Sequence, residues 1–112
     1  MMKDFTGMIA AMATPFLPNE ELNYPEAARL VKHLLHSGLN GVLIGGTTGE
    51  YHLMSIPEWE QLIACAVEAA KDCGEDKYII AGASCHRTKE TVALAHAAGE
   101  AGADFVLVLP PY

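Results

Sequence analysis

Six consecutive residues, Gly45-Gly46-Thr47-Thr48-Gly49-Glu50, are the strongest candidates for chemistry in this 112-residue chain. The glycines let backbone approach a ligand closely, and two adjacent hydroxyls sit between them. Free amides together with threonine hydroxyls suit a carboxylate or phosphate oxygen. No lysine follows the last glycine and the spacing is not GxGxxG, so the usual nucleotide loops do not fit. A tight strand-to-helix turn that needs glycine for its conformation alone is the other reading. Tyr112 offers a phenol that can relay a proton or simply pack. Elsewhere the chemistry is thinner. Ser84-Cys85-His86 puts a thiol beside an imidazole, but neighbours in sequence rarely face each other. His33 and His36 are three apart and have no third ligand, which favours a solvated helix face over a metal site.

The elements that must position these residues alternate along the chain. An apolar run from Met8 to Ala13 reads as a strand ending at Thr14-Pro15. A helix follows, with Asn23 as its N-cap, an early Pro25 and an acid at Glu26. Its stripe is Ala27, Leu30, Val31, Leu34 and Leu35, and Gly38 stops it. Val42-Leu43-Ile44 is the second strand and runs into the glycine–threonine loop. Ser55-Ile56-Pro57-Glu58 then has the form of a capping box, with Trp59, Leu62, Ile63, Ala66, Val67 and Ala70 as the buried face behind it. That helix is expected to end near Gly74. A third strand covers Tyr78 to Ala81. A third helix starts near Thr88, turns Val92, Ala95 and Ala98 inward and ends near Gly102. Phe105 to Leu109 is the last strand.

Strands apolar on both faces belong to a parallel sheet covered by helices, so the fold class is α/β with (βα)₃β visible. A (βα)₈ barrel needs about 250 residues, whereas a small open doubly wound sheet comes near completion at this length. Stopping on a strand followed at once by Pro110-Pro111-Tyr112 favours residues 1–112 as the N-terminal part of a single barrel domain. Either way, function belongs in the loops after the strands' carboxyl ends.

Composition narrows the partners. Half the residues are apolar (51%), which excludes intrinsic disorder. The net charge of −7 disfavours contact with phosphate backbones. An acidic N-terminus and a short apolar run broken by Pro15 suggest neither a secretion signal nor a membrane span. The odd trio Cys65, Cys73 and Cys85, without CxxC spacing, reads as reduced cytosolic thiols.

Three landmarks in register carry a family resemblance: the opening segment Gly7-Met8-Ile9-Ala10-Ala11-Met12-Ala13-Thr14-Pro15-Phe16, the pentapeptide Gly46-Thr47-Thr48-Gly49-Glu50, and the strand ending Pro110-Pro111-Tyr112. Together they closely resemble the N-terminal portion of the dihydrodipicolinate synthase and N-acetylneuraminate lyase family, over essentially the whole chain. The resemblance implies a class I aldolase-type barrel in which a late lysine forms a Schiff base with pyruvate or a related 2-oxo acid, which then reacts with an aldehyde. It implies a hydroxyl proton relay through Thr47 and Tyr112. It places Thr48, with Gly46 and Ala11, at the substrate, Thr48 binding the carboxylate. It further implies no metal or organic cofactor, a cytoplasmic homotetrameric parent and a place in lysine biosynthesis. A lyase of the neuraminate type, another 2-keto-acid aldolase and a small non-catalytic anion-binding module are the alternatives.

The departures are informative. Lys3, Lys32, Lys71, Lys77 and Lys89 fall on the tail, on helices or before a strand, so the Schiff-base lysine is expected beyond this chain. Tyr51 and His86 stand where lysine-sensitive synthases tend to have Ser and Asn, which argues against feedback by lysine. The 112-residue polypeptide is therefore expected to be inert by itself. Incubated with pyruvate and borohydride, it should show no covalent adduct by mass spectrometry; an adduct on any of its lysines would refute this.

Overall fold

Local sequence sets each helix. In the computed structural model, which describes residues 2–110, α1 spans Tyr24–His36, α2 Ile56–Ala70 and α3 Thr88–Glu100. The Asn23 side chain accepts from the Glu26 amide at 3.2 Å, and Pro25 sits in the first turn. Gly38, at φ +103°, takes the left-handed conformation that ends α1. The α2 capping box forms in full: the Ser55 amide donates to Glu58 Oε1 at 2.8 Å and the Glu58 amide to Ser55 Oγ at 3.2 Å.

The strands are β1 (Ile9–Ala11), β2 (Gly41–Ile44), β3 (Tyr78–Gly82) and β4 (Phe105–Leu107). They pair in parallel in chain order, β1-β2-β3-β4, with Ala11 opposite Leu43, Leu43 opposite Ile80 and Ile80 opposite Phe105. Val42, Ile44, Ile79 and Ala81 point to one face. There they join Val31 and Leu35 of α1, Leu62 and Ile63 of α2, and Leu94 and Ala98 of α3 in a single core. All three helices thus cover the same face, and the strand order never reverses. A doubly wound sheet needs helices on both faces and a switch in order. The architecture is that of a partial (βα)₈ barrel.

The opposite face carries Leu43, Tyr78 and Ile80 by strand alternation. At the amino ends of the strands, the N-terminal segment crosses this face. Phe5 packs against Tyr78 and Phe105, with ring centroids 5.7 and 5.1 Å away. The Tyr78 hydroxyl donates to the Thr6 carbonyl at 2.7 Å, and Lys3 Nζ donates to the Lys77 carbonyl at 2.6 Å.

Several sequence expectations shift. β1 stops at Ala11 rather than Ala13, although the Met12 amide still reaches the Leu43 carbonyl at 3.1 Å. α2 ends at Ala70, and a turn fills the gap to Gly74. β4 ends at Leu107; beyond it the Leu109 amide turns to Ser84 Oγ at 3.0 Å. The buried stripe of α3 is Thr91, Leu94 and Ala98, whereas Val92 is 52% exposed and Ala95 half-buried. A polar residue at an inward position mis-phased the apolar reading: the Thr91 hydroxyl points to the Cys85 carbonyl at 3.5 Å.

Among the described residues, β1 pairs only with β2 and β4 only with β3, so both edges are open. Val106, Leu107, Val108 and Leu109 beside the second edge are exposed. An apolar open edge is a template for another chain. The repulsion from a charge of −7 is screened beyond about 8 Å at physiological salt. We expect the 112-residue chain to self-associate at micromolar concentration, and Val106→Lys on the edge strand to reduce that association. Sedimentation measures both; a compact monomer of 12.0 kDa would show that the edges are protected.

Candidate active site

β2 delivers the glycine–threonine loop to the carboxyl edge of the sheet, where the backbone turns back sharply. The Glu50 amide donates to the Thr47 carbonyl at 3.0 Å and the Tyr51 amide to the Gly46 carbonyl at 3.3 Å. A short 3₁₀ turn, Tyr51–Leu53, then leads to the cap of α2. Glu50 enters that turn at φ +59°, an uncommon conformation for a residue with a side chain.

Two close contacts hold the loop. Gly45 has φ +70°, and a Cβ there would lie 2.9 Å from the Trp59 indole nitrogen. Across from it, a Cβ on Gly82 would fall onto the Gly45 carbonyl, so β2 and β3 approach each other here as only glycine allows. Trp59, itself buried, donates its indole N–H to the Gly82 carbonyl at 2.9 Å. On the other flank, Gly49 is buried against the end of the β1 segment.

Between these anchors Gly46 is half-buried, and Thr47 and Thr48 are exposed at the mouth of the sheet. Among the described residues, the amides of Gly46, Thr47 and Thr48 donate to no protein acceptor. The site therefore presents neutral donors, amides and hydroxyls, which is a donor set for a carboxylate or phosphate oxygen. Ala11 is exposed at the carboxyl end of β1, in register with Leu43 two residues before Gly45. Gly46, Thr47 and Thr48 lie in the loop after β2 that the sequence points to, and Ala11, expected within the first strand, instead stands at its end. Tyr112 lies outside the described residues. By spacing Trp59 belongs to the apolar face of α2, and its indole N–H gives the residue a second role that periodicity cannot reveal.

The other candidates resolve differently. A cavity of about 230 Å³ beside the loop is lined by Tyr51, Trp59, Ser84, Cys85 and His86 among others, so Tyr51 and His86 share one site. Burial pushes the Cys85 thiol above its ordinary pKa, and the neighbouring Glu90 carboxylate adds to the shift, which keeps it a thiol at neutral pH. His33 and His36 are exposed in the last turn of α1. The lysines sit elsewhere. Lys3 and Lys77 bind backbone at the amino ends of the strands, Lys71 pairs with Glu68 at 2.9 Å, and Lys32 and Lys89 are exposed on helices.

Known proteins share this fold and much of this sequence. The family model for the dihydrodipicolinate synthetase family matches residues 4–112. The chain is 38% identical over 112 residues to a 4-hydroxy-tetrahydrodipicolinate synthase of Desulforudis audaxviator, covering all of this chain and 37% of that protein. The crystal structure of dihydrodipicolinate synthase from Aquifex aeolicus superposes with a TM-score of 0.88 at 36% identity, over 96% of this chain and 36% of that one. The E. coli K12 prophage protein YagE, solved in complex with pyruvate, gives 0.87 at 28% identity over 96% and 35%. The chain thus spans just over a third of the length of the relatives it matches.

The Trp59 bond is open to a direct check. Trp59→Phe removes the indole N–H but keeps a ring, and leaves the Gly82 carbonyl without its donor. Urea unfolding should show a loss of about 1–3 kcal/mol, the cost of an orphaned buried acceptor. An unchanged midpoint would mean that the carbonyl finds another donor.

Proposed function

The chain belongs to the dihydrodipicolinate synthetase family, and on that premise we propose that residues 1–112 form the N-terminal part of a single barrel domain in a carbon–carbon lyase or synthase. Its substrate is pyruvate or a closely related 2-oxo acid, and an aldehyde is the second reactant. The observation that carries this reading is the exposed pair Thr47 and Thr48, held between two anchored glycines at the carboxyl edge of a parallel sheet. A 2-oxo acid presents a carboxylate next to an electrophilic carbonyl, and each half has a counterpart in the proposed site.

The carboxylate accepts hydrogen bonds from the Thr48 hydroxyl and the loop amides near Gly46, with Ala11 forming a small apolar wall. That leaves the carbonyl carbon to a lysine from a later strand, beyond residue 112. The amine adds to the carbonyl, and loss of water gives the imine. Each step moves a proton on or off an oxygen or nitrogen, and a hydroxyl chain starting at Thr47 and continuing through Tyr112 carries it. The imine then serves as the electron sink for carbon–carbon bond formation or cleavage, without a metal or organic cofactor. We further assign the parent enzyme to the cytoplasm, to a homotetramer and to lysine biosynthesis, with Tyr51 and His86 arguing against feedback by lysine.

The full-length protein provides the test. With pyruvate and borohydride it should gain one adduct, on a lysine beyond residue 112. Thr47→Val removes the hydroxyl at nearly constant volume and should lower turnover by about a hundredfold or more, the usual worth of positioned proton transfer. Turnover within a few-fold of wild type would return Thr47 to the role of a turn residue, and no adduct with pyruvate would overturn the substrate assignment.

A further inference from the structure

Thr14 is a polar side chain at the end of the β1 segment, and it is only 7% exposed. Its hydroxyl donates to the Gly49 carbonyl at 2.6 Å, across 35 residues of sequence. It ties the backbone of the loop from Gly45 to Glu50 to a segment distant in sequence. The contact is tight on the receiving side as well. A Cβ on Gly49 would lie 3.0 Å from Thr14 Oγ1 and 3.1 Å from the Met12 carbonyl, so Gly49 is pressed against the segment that follows β1.

We propose that Thr14 is a positioning residue: its hydroxyl fixes the Gly49 carbonyl and thereby sets where the Thr47 and Thr48 hydroxyls stand. The proposal rests on the reading of that loop as the 2-oxo acid site. The β2 ladder and the Gly45–Gly82 contact fix the front of the loop. Beyond Thr48 the backbone reaches Glu50 in a left-handed conformation, which is held only if its neighbours hold it. The Glu50 and Tyr51 amides close the turn on itself, and the bond from Thr14 to the Gly49 carbonyl ties it to the segment after β1. Without it the carbonyl is buried with no donor and the turn is free to rotate toward water, carrying both hydroxyls out of register. A misplacement of about 1 Å in such a group is enough to cost on the order of a hundredfold in rate.

The experiment uses the full-length protein with Thr14→Val, Thr14→Ser and Thr14→Ala, pyruvate as the probe and borohydride trapping as the assay. Thr14→Val keeps the volume and loses the donor; if it fails to fold, Thr14→Ala carries the same arm. Per folded molecule, the donor-less variant should need about tenfold more pyruvate for half-maximal trapping and should trap more slowly at saturation. Thr14→Ser, which restores a hydroxyl, should return both values to within about threefold of wild type. Hydrogen exchange supplies the readout that a general loss of stability would not produce. The Glu50 and Tyr51 amides should exchange faster in Thr14→Val while those of α1 keep their protection. Trapping and loop exchange that match wild type would overturn the proposal, as would a uniform loss of protection with unchanged trapping per folded molecule. If wild type itself traps no pyruvate, the substrate reading fails, and the exchange arm alone then decides whether Thr14 fixes the loop.

Discussion

Everything at the carboxyl edge depends on how closely β2 and β3 come together at Gly45 and Gly82. Any side chain on Gly82 would collide with the Gly45 carbonyl, so the two strand ends approach until backbone meets backbone. The same crowding brings the Gly82 carbonyl within reach of the Trp59 indole, and that bond ties α2 to the strand ends. The start of α2 is fixed independently by Ser55 and Glu58. The segment between Gly45 and Ser55 is therefore bounded at both ends by rigid elements. A loop built in this way holds its donors in place before any ligand arrives, so binding need not first order the backbone.

The donors themselves are neutral, and this matters for a protein with a net charge of −7. Its overall field repels a carboxylate, and the loop has no cation to offset that. Selectivity at such a site comes from the geometry of amides and hydroxyls rather than from attraction at a distance. The Glu50 side chain, exposed at the end of the same loop, adds to the local negative potential.

Much of this was legible in the sequence because the signals are local. Asn23, Gly38 and the Ser55–Glu58 pair mark helix boundaries through contacts within four residues, and all of them fall where the pattern put them. The strand-to-loop placement of Thr47 and Thr48 followed from a buried apolar run meeting glycines. What the sequence concealed was non-local. Trp59 belongs to an apolar stripe by spacing, and only its partner 23 residues away makes it a hydrogen-bond donor. Leu107 and Leu109 look alike, yet β4 ends between them. Thr91 hid the inward face of α3 because a buried hydroxyl served by a backbone carbonyl is indistinguishable, in sequence, from an exposed one. The place of Tyr112 in the fold lies outside the described residues.

The N-terminal segment carries one more consequence, for the order in which the molecule is assembled. Phe5 is held by Tyr78 and Phe105, and Lys3 reaches Asp104, 101 residues away. A ribosome adds about 5–20 residues per second, so the first residues emerge roughly 5–20 seconds before their last partners exist. Until Tyr78 is made Phe5 lacks both of its ring partners, and α1 and α2, whose contacts are nearer in sequence, can form ahead of it. Within these 112 residues, the segment translated first is among the last to find its partners.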